Sequence, residues 1–131
     1  MALVLDRVDH IHIYVDDRPK AEEWYRDVLG FRRKAELESW AVGSGPLMLE
    51  NETGTIVLAL FEKAPGSNKT TVAFRISGEM LLAWQEFLSE KLGESVDPVD
   101  HGKAWSLYFS DPWGNPYEIT TYDYELVEGR L

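Results

Sequence analysis

The sequence predicts an α+β fold made of two βαβββ modules in tandem. Three observations carry the prediction. Two amphipathic helical segments each end in Leu-Gly, at Leu29-Gly30 and Leu92-Gly93, 63 residues apart. Each is preceded by one strand-like segment and followed by three. The turn glycines ahead of the last segment in each series, Gly54 and Gly114, are 60 residues apart, so the order repeats at nearly constant spacing. A module of that size leaves much of its apolar face uncovered. The two are therefore expected to pair as a single domain over 1–131, with modules at 1–64 and 65–131.

The elements follow in order. VDHIHIYV (8–15) is β-branched and aromatic with alternation, which predicts a strand. Asp16-Asp17-Arg18-Pro19 then supplies an N-cap oxygen and a proline suited to a first helical turn. Ala21, Trp24, Tyr25, Val28 and Leu29 form one apolar stripe, and Gly30 stands where a left-handed C-terminal cap is needed. Strands are expected at about 31–38, 46–50 and 55–62, the last two joined by the turn Asn51-Glu52-Thr53-Gly54. Ala64-Pro65-Gly66-Ser67-Asn68 reads as a short linker. The pattern then restarts with TTVAFRI (70–76), a Ser77 N-cap, and a stripe of Met80, Leu81, Trp84, Phe87, Leu88 and Leu92. Strands are expected at about 95–99, 104–110 and 116–122. The helical aromatics Trp24, Tyr25, Trp84 and Phe87 are expected in the core, Trp113 on the surface, and Trp40 on the surface or over a pocket.

Composition narrows the function classes. Among 131 residues, 13 Lys+Arg face 23 Asp+Glu, a formal net charge of −10. Residues 1–66 carry −4 and residues 67–131 carry −6, so the acidity is spread rather than held in a tail. That field repels a nucleic-acid backbone, and no basic stripe offsets it. No apolar run approaches the ~20 residues that span a bilayer, and the start MALVLDRVDH lacks the basic and hydrophobic regions of a secretory signal. Cysteine is absent, which removes disulfides, thiolate nucleophiles and Cys-zinc sites and makes the cytoplasm the expected address. No nucleotide or flavin motif is present.

Two stretches carry a resemblance. DHIHIYVDDRPKAEEWYRDVLGF (9–31) and YFSDPWGNPYEI (108–119), with the duplicated βαβββ order between them, resemble the vicinal oxygen chelate superfamily. That superfamily includes glyoxalase I, extradiol dioxygenases, fosfomycin-resistance enzymes and bleomycin-binding proteins. The resemblance implies curved sheets enclosing a ligand cavity between the paired modules. It also implies a divalent ion (Zn, Fe, Mn, Ni or Co) held from the first and last strands of the modules, and a small oxygen-rich ligand chelating that ion. It implies a homodimer as well.

Carried over residue by residue, the first-strand ligand falls on His10 and the last-strand carboxylate on Glu118. Imidazole is a good ligand for such metals. A Glu in a β-branched strand four residues after a turn glycine serves no packing purpose and calls for a partner. The repeat sets Thr71 opposite His10 and Leu58 opposite Glu118. Neither replaces a strong ligand, and one His plus one Glu is a thin donor set. His12 shares the strand face of His10, ~6.5–7 Å along the strand, so chelation of one ion by both needs local bending. His101, in Asp100-His101-Gly102-Lys103, reads as a loop residue. Thr71 and Arg75 share one parity on their strand, and Arg75 is suited to a carboxylate or phosphonate or to an acidic neighbour such as Glu118. Tyr108 matches a substrate-contacting Tyr of fosfomycin-type members. Asp111, Pro112, Gly114 and Asn115 read as the tight turn that aims the Glu118 strand.

Two functional expectations stay open. One is a metal-assisted enzyme with His10 and Glu118 as ligands and catalytic groups, and with His12, Thr71, Arg75 and Tyr108 at the substrate. The absence of a His at position 71 argues against a standard dioxygenase set of two His and one carboxylate. The other is a metal-free protein that sequesters an aromatic or cationic molecule; in a metal-free polar pocket more generally, His10 and Glu118 are candidates for a hydrogen-bonded pair that binds substrate or exchanges protons.

Overall fold

The computed structural model describes residues 2–64 and 69–131; of the expected linker, Ala64 falls inside that range and Pro65-Gly66-Ser67-Asn68 lies outside it. The chain divides into two compact units, Met1–Ser67 and Asn68–Leu131. Each holds one four-stranded mixed sheet and its own helices, which makes the fold α+β.

In the first unit, strand β1 (Ile11–Val15) leads into helix α1 (Arg18–Leu29). Asp17 caps the helix by accepting from Lys20 N, and Pro19 sits in the first turn where its missing N–H costs nothing. Gly30 ends it at φ +72°, with Gly30 N–H donating to Arg26 O and Phe31 N–H to Tyr25 O. Strands β2 (Arg32–Arg33), β3 (Leu47–Glu50) and β4 (Val57–Glu62) follow. The sheet order is β1-β4-β3-β2, with β1 parallel to β4 and the other pairs antiparallel. Ile13, Val15, Leu47, Leu49, Leu58 and Leu60 bury one face under Ala21, Tyr25, Val28 and Leu29 of α1. Each such aliphatic side chain contributes about 1.5–3 kcal/mol by leaving water.

The second unit repeats the plan with β5 (Val72–Arg75), α2 (Gly78–Leu92), β6 (Val99–Asp100), β7 (Trp105–Ser110) and β8 (Pro116–Thr121). Its order is β5-β8-β7-β6, with β5 parallel to β8. Ser77 caps α2 by accepting from Met80 N, and Gly93 closes it at φ +68°. A further helix, α3 (Tyr124–Glu128), follows β8. Gly78 makes the α2–α3 contact possible: a Cβ there would lie 2.9 Å from Asp123 Cβ and 3.0 Å from Leu126 Cδ2. Its N–H donates to Asp123 Oδ2 at 2.7 Å. Trp105 stacks on Tyr124 and donates to its carbonyl, and Tyr124 Oη donates to Asp100 Oδ2 at 2.8 Å. That last bond, with desolvation and the Asp100 charge behind it, pushes the phenol up to about 12.

Several sequence expectations need correction. The strand expected over 31–38 is two residues long and gives way to a 3-10 helix, Ala35–Trp40, in which no residue is buried. The strand over 95–99 shrinks to Val99–Asp100, because Pro98 has no N–H to give a ladder. The strand from residue 8 starts at Ile11, where its pairing with β4 begins. The core stripe of α2 is narrower than expected. Leu81 and Leu88 are buried, but Met80 is 51% and Phe87 37% exposed, and Trp84 is half-buried. Trp24 is likewise half-buried, and so is Trp113, which was expected at the surface. Trp40 is exposed.

Candidate functional site

Each sheet has one face covered by its helices and one that is not. In the second unit, strict alternation sends Trp105, Leu107, Phe109, Tyr117 and Ile119 to the helix side. Ser106, Tyr108, Glu118 and Thr120 go to the other side. Ala73 pairs with Glu118 and Arg75 with Thr120 in the parallel register, which places them on this polar face. Thr71 precedes β5 by one residue with the same parity, and Thr71, Ala73 and Arg75 are all exposed.

Glu118 sits at the centre of this face. Directly across the ladder from it is Tyr108. Ser106, fully buried, donates its hydroxyl to Glu118 Oε2 at 2.7 Å. Ser106 Oγ is also 2.9 Å from Thr120 Oγ1, whose own hydroxyl reaches Trp105 O at 3.3 Å. With one proton per hydroxyl, Ser106 serves Glu118 while Thr120 serves the backbone or Ser106. Burial first, then the negative charge of Glu118, push the Tyr108 phenol above its ordinary range, against a lowering contribution from Ser106. Tyr108 Oη also lies 2.9 Å from His101 Nε2, with the rings edge to face. His101 stands in the loop after β6, as expected, but is drawn to the same face. No Lys, Arg or His side chain of the second unit forms an ion pair with Glu118 among the described residues. Arg75, one of the partners considered for it, stacks over the Tyr122 ring at 4.7 Å instead.

The turn ahead of β8 is built as the sequence suggests. Asp111, 4% exposed, accepts from Trp113 N, Asn115 N and Asn115 Nδ2 at 2.9, 2.8 and 2.7 Å. Gly114 adopts φ +84°, a conformation that favours glycine. Three β8 residues later, Glu118 is presented on the helix-free face.

In the first unit, that face carries His12, Tyr14, Met48, Glu50, Ala59 and Phe61. His10 lies just ahead of β1, outside the ladder, with its side chain 32% exposed. Its Nδ1 is 2.7 Å from Asp9 Oδ2 and its Nε2 is 3.1 Å from His12 Nε2. The two rings lie 5.0 Å apart at 19°, and His12 also packs against Phe61. Leu58 is not the counterpart of Glu118. It is fully buried on the helix side, and the strand register matches Ala59 to Glu118 instead. The 60-residue offset between the glycines becomes 59 in the strands, because the first turn holds one more residue between its glycine and its strand. The match of His10 to Thr71 holds, since Ile11 and Val72 open equivalent parallel pairings.

The structure thus brings His10 to His12, and Glu118 to Tyr108 with Ser106. Ser106, Asp9 and His101 are contacts that sequence reasoning did not assign to a site. Within neither unit do three or more His, Cys, Asp or Glu side chains of the described residues form a group placed to hold a metal ion. The donors present, imidazole nitrogens and a carboxylate, are nonetheless of the type that suits Zn, Fe, Mn, Ni or Co. No helix among the described residues is long and apolar enough to cross a membrane.

Comparison with known proteins agrees with this architecture. A virulence protein of Salmonella typhimurium is 26% identical over 127 residues, covering 92% of this chain and 87% of the relative. A biphenyl-2,3-diol 1,2-dioxygenase of Rhodococcus globerulus is 28% identical, covering 95% and 68%. Among solved structures, the fosfomycin resistance protein FosX of Listeria monocytogenes, complexed with Mn(II) and sulfate, matches with a TM-score of 0.69 at 17% identity over 97% of this chain and 98% of that one. An integron cassette protein from a Halifax Harbour sewage outfall gives 0.74 at 23% identity over 89% and 99%. The model of the Glyoxalase/Bleomycin resistance protein/Dioxygenase superfamily matches residues 7–119, so the chain belongs to that family, the vicinal oxygen chelate superfamily.

Proposed function

We propose that this protein is a metal-assisted enzyme acting on a small oxygen-rich molecule, with His10 and Glu118 as protein ligands of the metal. The observation that carries this reading is Glu118, a half-buried carboxylate held by the neutral Ser106 hydroxyl on the helix-free face of its sheet. A carboxylate in that setting is costly without a cation. A divalent ion would supply Lewis-acid polarisation of vicinal oxygens. The chain's own residues supply the rest. Ser106 fixes the Glu118 rotamer, Asp9 fixes the His10 ring, and Tyr108 offers a phenol that stays protonated at neutral pH to donate to a substrate oxygen. Arg75 and Thr71 add exposed polar groups on the Glu118 face. The manganese-bound FosX structures and the dioxygenase relative support the class of chemistry. Isomerisation, ring cleavage and antibiotic modification all lie within it.

A second reading has its own support. On the first unit's helix-free face, Lys63 Nζ stands 5.1 Å from the Tyr14 ring centre and 5.9 Å from that of Phe61. An aromatic surface that already receives one cation suits a protein that sequesters a cationic or aromatic ligand.

Metal content of tag-free protein separates the readings. Near-stoichiometric metal in the parent, lost in both His10→Ala and Glu118→Ala, is the expected result. No metal after incubation with Mn, Fe, Co, Ni and Zn sinks the enzyme reading and turns the search to cationic ligands by tryptophan quenching. Light scattering on the same sample tests the homodimer that this reading carries with it.

A further inference from the structure

We propose that His12 is a metal ligand in this chain, chelating the same ion as His10, so that the first unit alone contributes two imidazole nitrogens. The inference rests on the reading that the protein binds a divalent metal. It deepens that reading by supplying the nitrogen missing at Thr71.

The geometry comes first. Two imidazoles on one ion, at metal–nitrogen distances of about 2.0–2.1 Å and ligand angles of about 90–110°, place their nitrogens about 3–3.4 Å apart and their ring centres about 5 Å apart. The observed His10 Nε2 to His12 Nε2 distance is 3.1 Å, and the ring centres are 5.0 Å apart. Ordinary strand spacing does not give this, since residues two apart on one face stand about 6.5–7 Å from each other along the strand. The bend comes from His10 itself. It precedes the first ladder pair, Ile11 with Leu58, so no pairing fixes its backbone. Its ring is free to fold onto that of His12.

Protonation comes second. Asp9 Oδ2 lies 2.7 Å from His10 Nδ1, which places the His10 proton on Nδ1 and leaves a lone pair on Nε2. A carboxylate behind a ligating imidazole is the arrangement that orients metal-bound histidines. Without an ion, a His12 ring that carries its proton on Nε2 would donate to that lone pair. An ion there would be held by both Nε2 atoms, with the His12 ring proton given up from Nε2 to water and one taken back on Nδ1. The remaining positions stay open to a carboxylate, water or substrate oxygens, as in catalytic sites. His12 is exposed, with Phe61 packed against one side of it, so an ion has access.

The test uses the tag-free 131-residue chain stripped by chelator and titrated with Zn(II). The chain has only three histidines, so long-range nitrogen–proton NMR spectra resolve each ring. The expected result is a coordination shift at Nε2 of both His10 and His12, complete at one equivalent, with His101 unmoved. His12→Ala is expected to weaken zinc affinity at least about tenfold, and Asp9→Asn by about 10–100-fold. A shift at His10 alone, with His12→Ala binding as tightly as the parent, overturns the inference and leaves His10 with Glu118 standing. A two-histidine shift that Glu118→Gln does not weaken keeps the inference and removes Glu118 as a ligand. No shift at either ring overturns both.

Discussion

Asp111 makes the clearest residue-scale prediction. Its carboxylate accepts three hydrogen bonds while only 4% exposed, and Asn115 behind it is 3% exposed. Asp111→Ala leaves buried donors without an acceptor, and should cost about 3 kcal/mol in denaturant unfolding. A loss under about 1 kcal/mol would mean that water replaces the carboxylate. Ser106→Ala removes the hydroxyl that orients Glu118; on the proposed metal-binding reading it should lower metal affinity about 10–100-fold in a competition assay while the protein stays folded. The candidate residues were legible to different degrees. Glu118 in its strand and His10 at the edge of one stand out as candidates because a charge or an imidazole there has no packing role. The contact of His101 with Tyr108 was not legible, because it depends on how the loop after β6 turns back over β7. Leu58 was set opposite Glu118 through a single uncounted turn residue, which in a strand exchanges one face for the other.

At the scale of elements, α1 and β2 are tied by an ion pair whose pH dependence can be worked out. Arg33 donates from both Nε and Nη2 to the Glu22 carboxylate, the Nη2 bond at 3.0 Å. That hydrogen bonding, opposed by desolvation and aided by the Arg33 and Arg26 charges, holds Glu22 below the usual carboxylate range. A lowered carboxyl contributes stability that is fully present above its unfolded pKa and is lost as pH falls through its folded value. The pair is half-exposed on the Arg33 side, so its worth is under about 1 kcal/mol. Glu22→Gln should therefore be slightly less stable than the parent at neutral pH and equal to it in acid. A gap that persists in acid would assign the effect to packing. The same scale shows where pattern reading stops. Both long helices were legible because caps, stripe and C-terminal glycine agree. The 31–38 segment was not. Its alternation is real, but only Arg32 and Arg33 pair in the ladder, Lys34 N–H adds one bond to Met48 O, and the rest turns into a 3-10 helix in which no residue is buried. Helix α3 was missed because five residues carry too little periodicity. Its signal was Asp123 in front of Leu126 and Val127, and that Asp is spent on Gly78 N–H rather than on its own helix.

For the whole molecule, the net charge of −10 is spread over both units rather than concentrated. Self-repulsion of that kind opposes compaction and is screened when the Debye length falls from ~30 Å at 0.01 M salt to ~8 Å at 0.15 M. The melting temperature should rise by a few degrees across that interval, with neutral osmolytes as the control. A fall would show that attractive surface pairs such as Arg33–Glu22 outweigh the repulsion. The tandem plan at this scale was legible from the Leu-Gly and turn glycine offsets alone, since a repeat needs only order and spacing.

The pairing of first strand with last has a consequence for the growing polypeptide. β1 cannot join its sheet until β4 exists, and Ile11 waits 47 residues for Leu58. Val72 then waits 45 residues for Tyr117. At about 5–20 residues per second, each wait lasts roughly 2–9 s on the ribosome. Twice during synthesis, then, the nascent chain displays a β-rich strand with no native mate, and these two intervals are when a chaperone or a neighbouring nascent chain competes for it.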